Sequence, residues 1–487
     1  MAQATGQAGF QQNAPTTIDI PLAGQPLQRG TGTTDQRCVN VFFESIKNPI
    51  TQGTSLYCVK RPGLSNFSQP PGAAATGRGL YYWGGSNKLY SVFANKIYSG
   101  TTDLGVTLAA STGKVWFTEN EPTSASRALI VSDGTDNYNI TTGDGITQID
   151  EGDDAQYPQA NLGPVLFFNS YLFQGQADGE IWNTEADSIT SWLGTALVTS
   201  EQYGDSLIAI AKQKDQIVAF GRFSTEFFFD NANTGSPLQR IDQNSLQIGM
   251  SHANTLAQSG DNIVWVSENP AHGDGGRSVW HIYGMTKVKV VSTPVIDRFL
   301  AAEGASISSA TCWIERVAGH LLYVLNLSSA DRTFVYDLNE ETWCEWEIAA
   351  GGAKFNGIAA TSNAGTVYIQ DATNGRIYTL SPTVYQDSGA NFTVTLQTDN
   401  YDFGTPFSKF EEGLWLIGDN TTGTINVAEA DDDYTTFNTA RTITMTATRK
   451  FLPEGGMFFQ RAYRLTYTQN AALRLSKLVL KLKVGNS

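Results

Sequence analysis

Residues Leu207–Asp230, LIAIAKQKDQIVAFGRFSTEFFFD, leave the chain few ways to fold. Apolar runs built from β-branched and aromatic residues are broken by the polar stretch Lys212–Gln216 and again before Ser224. Such a pattern is strand, turn, strand, turn, strand. It predicts a small antiparallel meander with aromatic faces. From about Gly79 to Leu380 the same theme recurs in Leu80–Tyr98, Leu166–Trp182, Phe334–Trp346 and Thr366–Tyr378. Each has an aromatic strand, a polar Gly/Asn/Asp turn and a short strand ending in Ile-Tyr or Trp.

The last two segments have the form of β-propeller blade hairpins, and irregular blades wound about an axis explain the spacing. A set of unrelated antiparallel meanders is the other reading, and the repeat is too imperfect for the blades to be counted. Composition agrees with an all-β chain. Only 16% of the 487 residues are charged, 11% are aromatic and 47 are glycine. Long surface helices need more Lys, Glu, Arg and Ala than this. No apolar stretch reaches the roughly 18 residues of a membrane span, so no membrane insertion is expected. The N-terminal residues lack the basic and apolar regions of a secretory signal.

Three parts are expected: an N-terminal arm over 1–15, a β-propeller-like body over 16–385, and a C-terminal β-sandwich module over 386–487. The body holds an early strand pair at 37–64 and blades over about 79–380. The arm is Gln/Ala/Gly-rich and aperiodic. A polar break at Ser381–Asn391, containing Pro382, precedes alternating strands with turns about ten residues apart. The second half of this module is basic in a chain of net charge −15. Arg441, Arg449, Lys450, Arg461, Arg464 and Arg474 are the candidate docking residues, with Lys477, Lys481 and Lys483 beyond them. On alternating strands they form either a solvated outer face or a docking face for an acidic partner.

Three segments together resemble the packaged-DNA stabilisation proteins, or tail hub (nozzle) proteins, of short-tailed phages. They are the Leu207–Asp230 segment, the pair RCVNVFF (Arg37–Phe43) and LYCVKRPGL (Leu56–Leu64), and the run from Phe459–Arg464 into Leu475–Leu482. The resemblance implies a virion tail protein made in the host cytoplasm, a homohexamer below the portal-adaptor ring. It implies a subunit that extends the DNA channel, retains the genome and carries a tail needle or plug, or fibres or spikes. Double-stranded DNA would pass without sequence-specific binding. An acidic wall that avoids phosphate contacts suits such passage. A gate loop should be glycine-rich, and His272, Gly273, Asp274, Gly275 and Gly276 are the candidates, with Ala232–Gly235 second.

No catalytic, metal or cofactor site is expected, and the chain reads as a non-enzyme. His252, His272, His281 and His320 lack zinc-site spacing, and no G-x-S-x-G elbow is present. Residues 73–79 lack the Gly-Lys-Ser/Thr ending of a P-loop. Asp133-Gly134 and Gly143-Asp-Gly145 read as β-turns. Asp431–Asp433 reads as a hairpin tip, with calcium binding as the alternative. Cys38, Cys58, Cys312 and Cys344 read as free buried thiols, or as two of them plus a Cys38–Cys58 bridge. A competing function is a carbohydrate-binding or glycoside-cleaving propeller, whose Trp and Tyr residues, Trp83 among them, would stack on sugars.

Overall fold

The computed structural model describes residues 15–22, 36–47, 53–120, 127–159, 161–200, 202–269, 276–284 and 287–485. Nearly all regular structure is strand, and the one α-helix among these residues is Pro294–Glu303. No helix is long and apolar enough to cross a membrane. The expected arm at 1–15 falls, but for Pro15, outside the described residues.

The chain divides into two compact units. The larger takes residues 64–338 and 353–381. It contains seven antiparallel sheets among the described residues, beginning with the strands Gly77–Trp83, Trp116–Glu119, Asn161–Phe168, Leu207–Gln213, Ala257–Ser259, Thr311–Val317 and Gly357–Asn363. The leading strands of neighbouring sheets pack together, except that Leu207–Gln213 meets the second strand of the fifth sheet, Asn262–Val266. Gly357–Asn363 then packs on Gly77–Trp83, so the series closes into a ring. The unit is a β-propeller, and the blade number that the sequence left open is seven.

Closure comes from strand exchange between chain ends. The seventh sheet takes three strands from 357–381 and its outer strand, Gly63–Ser68, from before the first sheet. Phe67 of that strand meets Tyr368 edge-on, with ring centres 4.9 Å apart. Leu80, Leu89, Phe93 and Tyr98 of the first sheet then pack with Ile377 of the seventh.

A sheet in such a ring is covered on both faces, which is why its strands read as apolar runs and do not alternate. Gln216–Gly221 in the fourth sheet is buried at every position. Val218 and Phe220 pack with Ile263 and Trp265 of the fifth sheet, whereas Ile217 and Ala219 pack with Leu166 and Phe173 of the third. The meander expected at Leu207–Asp230 is three strands of this sheet, and its first hairpin turns at Lys214-Asp215, with Lys214 at φ 50°. Hairpins of this tightness need the left-handed region, where a non-glycine residue is strained.

The smaller unit takes residues 1–63, 339–352 and 382–487. One sheet runs in the order Val41–Lys47, Thr54–Lys60, Arg474–Val484, Lys409–Gly418, Phe451–Phe458, with Thr16–Pro21 also on Arg474–Val484. A second sheet orders Thr342–Trp346, Arg37–Val39, Val394–Gln397, Ala462–Tyr467, Thr424–Ala430, Arg441–Thr444.

This corrects the expected division of the chain. Residues 16–63, including most of the 37–64 strand pair, belong with the C-terminal module and not with the propeller. So do residues 339–352, which hold the second strand of the Phe334–Trp346 hairpin. The cause is non-local pairing. Arg37–Val39 lies between Val394–Gln397 and Glu345, and the Arg37 guanidinium bonds Glu345 (2.8 Å) and Glu347 (2.9 Å).

The Arg61-Pro62-Gly63 corner fastens these strands. Arg61 is fully buried and donates to Asn40 Oδ1 (2.9 Å), both carboxylate oxygens of Asp387 (2.9 and 2.6 Å) and the Glu347 carbonyl (3.2 Å). Its guanidinium lies 3.9 Å from the Phe392 ring centre. At Gly63 a Cβ would stand 2.2 Å from the Gln386 carbonyl oxygen, so only glycine fits the turn.

All four cysteines are free and buried. Burial pushes the Cys38 thiol up to about 12, with Glu345 adding to the effect and Arg37 opposing it. Burial likewise raises Cys58 and Cys312. These thiols stay protonated in the fold while the unfolded chain ionises from about pH 9. Stability should therefore fall as pH rises from about 9 towards 12. Tyr90 and Tyr138, both raised to about 12 mainly by burial, act in the same direction above pH 10. Lys60, lowered to about 8 mainly by burial, and Lys409, also lowered mainly by burial, act the other way below pH 10.5, two groups against several. Urea midpoints should drop across pH 8.5–10.5, less so in Cys38→Ala; a midpoint flat over that window would contradict the assignment.

Candidate functional site

A cavity of about 1060 Å³ lies at the centre of the propeller and is lined from all seven sheets. Its walls are apolar at Leu80, Val115, Trp116, Leu166, Ile210 and Trp313. Trp116 has its place because Gly163 stands opposite. A Cβ there would sit 2.5 Å from the indole, and the backbone holds φ 108°.

Set into these walls are three cations. Arg78 is buried, and its guanidinium is held by carbonyls: Gly113 at 2.7 Å, Ala94 at 2.9 Å, Ala110 at 2.6 Å and Thr112 at 2.7 Å. Burial pulls its pKa down, against the pull of Asp133. Lys114 extends from the approach to the second sheet to the opposite part of the ring. There its ammonium donates to the Leu256 carbonyl (2.9 Å) and the Cys312 carbonyl (3.4 Å), with the Cys312 sulfur at 3.8 Å. The third cation, Lys212, is solvent-exposed, and its ammonium lies 5.3 Å from the ring centre of Phe168, which is not itself a lining residue. Among the described residues no carboxylate lies within ion-pair distance of any of the three.

The one lining carboxylate, Asp133, faces backbone N–H groups, accepting from Ala110, Thr135 and Asp136 at 2.8 Å each. His252 also lines the cavity. Its Nδ1 accepts from the Asn254 N–H at 3.1 Å, and burial lowers its pKa. Within this chain the Lys114 side chain bridges the lumen, from the approach to the second sheet to the Leu256 and Cys312 carbonyls.

The structure does not gather the six candidate docking residues into one basic face. Arg461 is buried: its Nε and Nη2 bond Asp431 at 2.7 and 2.8 Å, and its Nη1 bonds Glu411 at 3.0 Å. Arg441 donates to Glu411 at 2.7 Å and also to Glu429. Glu411 and Glu429 are themselves buried, and Glu411 accepts from the Tyr463 hydroxyl at 2.9 Å. Arg464 stacks 3.5 Å from the Phe437 ring centre and bonds Gln397 at 2.8 Å. Lys450 is buried on Asn420 (2.6 Å), and Arg474 lies over Tyr57 at 4.2 Å. Arg449 alone of the six is exposed, although it leans on Phe451. The reason for the correction is that strand alternation sets which face a side chain leaves by, but not whether that face is covered. Carboxylates cover Arg441 and Arg461, and aromatic or amide side chains cover Arg464 and Lys450.

Of the candidate gate loop, His272, Gly273, Asp274 and Gly275 lie outside the described residues. Gly276 precedes Arg277, which bonds Glu268 at 3.0 Å. The Asp431–Asp433 carboxylates turn to separate partners, Arg461, the Thr436 N–H and the Asn400 amide. Trp83, proposed as a sugar platform, is fully buried, as are Trp265 and Trp346.

Sequence reasoning missed Arg78 and Lys114 because each is a lone cation in a turn-rich stretch. Their one signal is placement, immediately before or within the first strand of a repeat, where side chains meet at the axis.

The class defined by fold and cavity is the seven-bladed propeller. The chain belongs to the phage stabilisation family, whose family model, described as Bacteriophage P22 Gp10, β-propeller, matches residues 18–385. It is therefore a phage structural protein, a component of the virion. Similar solved structures include a streptogramin B lyase, at 13% identity over 70% of this chain and 98% of that one, TM-score 0.41. Another is YCF48 from Cyanidioschyzon merolae, at 11% identity over 66% and 99%, TM-score 0.38. No curated protein sequence matches the chain.

Proposed function

We propose that the chain is a subunit of the tail hub, or nozzle, of a short-tailed phage. Copies assemble as a six-membered ring beneath the portal-adaptor ring, prolong the DNA channel, hold the packaged genome, and carry the needle, plug, fibres or spikes. The observation that carries the reading is the family match over residues 18–385. The bridged lumen adds a constraint. DNA would run between copies around the ring axis and not through one propeller. With a net charge of −15 per copy, such a wall attracts few phosphates, which favours sliding over binding. The work is assembly and gating without covalent chemistry.

Contacts between copies would not fall mainly to the six basic residues, of which the fold leaves only Arg449 exposed. A better surface is the exposed apolar group Phe407, Phe410, Met457 and Phe459. Phe410 and Met457 are cross-strand partners, and the buried Lys409 ammonium ties the Phe407 and Phe459 carbonyls together at 2.9 and 2.6 Å. Exposed apolar clusters of this kind mark contact sites. The test is mass measurement of the purified chain with and without portal-adaptor particles. A six-copy ring on the particle, weakened by Met457→Glu with Phe459→Glu, is expected. A chain that stays monomeric and leaves the particle mass unchanged contradicts the proposal.

A further inference from the structure

We propose that the central cavity of the propeller is a binding site for a small amphipathic anion, a molecule with an apolar body and one phosphate or carboxylate group. Three observations carry this. The space, about 1060 Å³, is as large as the pockets that enclose drug-sized ligands. Its apolar walls carry Arg78, Lys114 and Lys212 against the single carboxylate Asp133, so the lining has an excess of positive charge inside a chain of net charge −15. And that carboxylate is turned to backbone N–H groups, leaving the lysines without an anionic partner.

A cation held in a low-dielectric wall is expensive without a counter-charge. Carbonyl oxygens supply part of the compensation, at Leu256 and Cys312 for Lys114, but they carry no net charge. An oxyanion beside the Lys114 ammonium completes it, and charge-assisted hydrogen bonds of that kind are the strong ones. The walls at Trp116, Leu166 and Trp313 give the ligand body its apolar contact. Arg78 is fully engaged with carbonyls and contributes field, whereas the Lys114 ammonium keeps its close bond to Leu256 (2.9 Å) and exchanges its two longer contacts, the Cys312 carbonyl at 3.4 Å and sulfur at 3.8 Å, for the oxyanion. The site is independent of the hub assignment, since it lies within one propeller.

Titration calorimetry of the full chain with phenyl phosphate, benzoate, inorganic phosphate and phenol tests this. Saturable binding of phenyl phosphate or benzoate at one per chain is expected, with phenol at least about tenfold weaker. Whichever of the two anions binds tighter decides between phosphate and carboxylate. Inorganic phosphate should bind more weakly than phenyl phosphate, because it lacks the apolar body. Lys114→Met should lower affinity about tenfold or more, and Lys212→Met about threefold. Lys212 is exposed, so its variant should fold even if Lys114→Met does not. No saturable heat from either anion up to about 5 mM, or equal affinity in both folded variants and the wild type, would overturn the assignment.

Discussion

Arg461→Ala should lower the stability of the smaller unit by about 3–5 kcal/mol, the usual result of removing one partner from a buried ion pair. The substitution leaves Glu411, with no exposed side-chain surface, deprived of one of its two guanidinium partners, and strips Asp431 of a two-point contact. Arg441 remains on Glu411 and Glu429, so the cluster would keep one cation against three carboxylates. The fold then has to bury uncompensated negative charge. Arg461→Ala with Glu411→Gln should recover part of the loss, because the two residues share one network. Urea unfolding followed by tryptophan fluorescence reads both. A midpoint for Arg461→Ala indistinguishable from wild type would mean that the cluster is a weak surface pair after all.

Arg61→Ala should cost a similar amount, about 3–5 kcal/mol, and by the same physics. Here the consequence is topological as well. Arg61 holds Asn40, Asp387 and Glu347, three residues from the three separate chain segments of the smaller unit. Losing it leaves Asp387 without its guanidinium and removes packing against Phe392. Limited proteolysis should then cut within residues 37–63 while the propeller remains resistant, provided that the two units unfold separately. A variant with wild-type protease resistance in that segment would remove Arg61 from its fastening role.

How far these features could be read beforehand depends on the range of the interaction. The strands of Leu207–Asp230 were legible because their apolar runs and turn residues are local, and the structure places all three in one sheet. The break at Ser381–Asn391 was legible for the same reason, and the smaller unit resumes at Pro382. Blade number was hidden, since the seventh sheet borrows Gly63–Ser68 from far upstream and the sixth contributes only three strands to the propeller unit, Thr311–Val317, His320–Leu327 and Arg332–Asp337. Domain membership of residues 16–63 was hidden likewise, because it is decided by pairing with strands some 300 to 400 residues away.

The docking face failed for a different reason. Alternation correctly brings Arg461 and Tyr463 to one face, but nothing local announces that Glu411 from another sheet waits opposite. The Arg61-Pro62-Gly63 corner was noticed for its turn, whereas its guanidinium proves to matter as much. At the cavity the chemistry is spread over several sheets, with Arg78, Lys114, Lys212 and His252 far apart in the chain, so no motif spacing could assemble it.

The central claim is that this chain retains packaged DNA at the tail. It is tested most directly with DNA-filled particles that have a portal and adaptor but lack this protein. Purified chain is added, and nuclease-accessible DNA is followed over time. The account predicts that leakage stops as the chain binds, and that new density appears beneath the portal vertex with sixfold order. Unchanged leakage with no density at the vertex would contradict it.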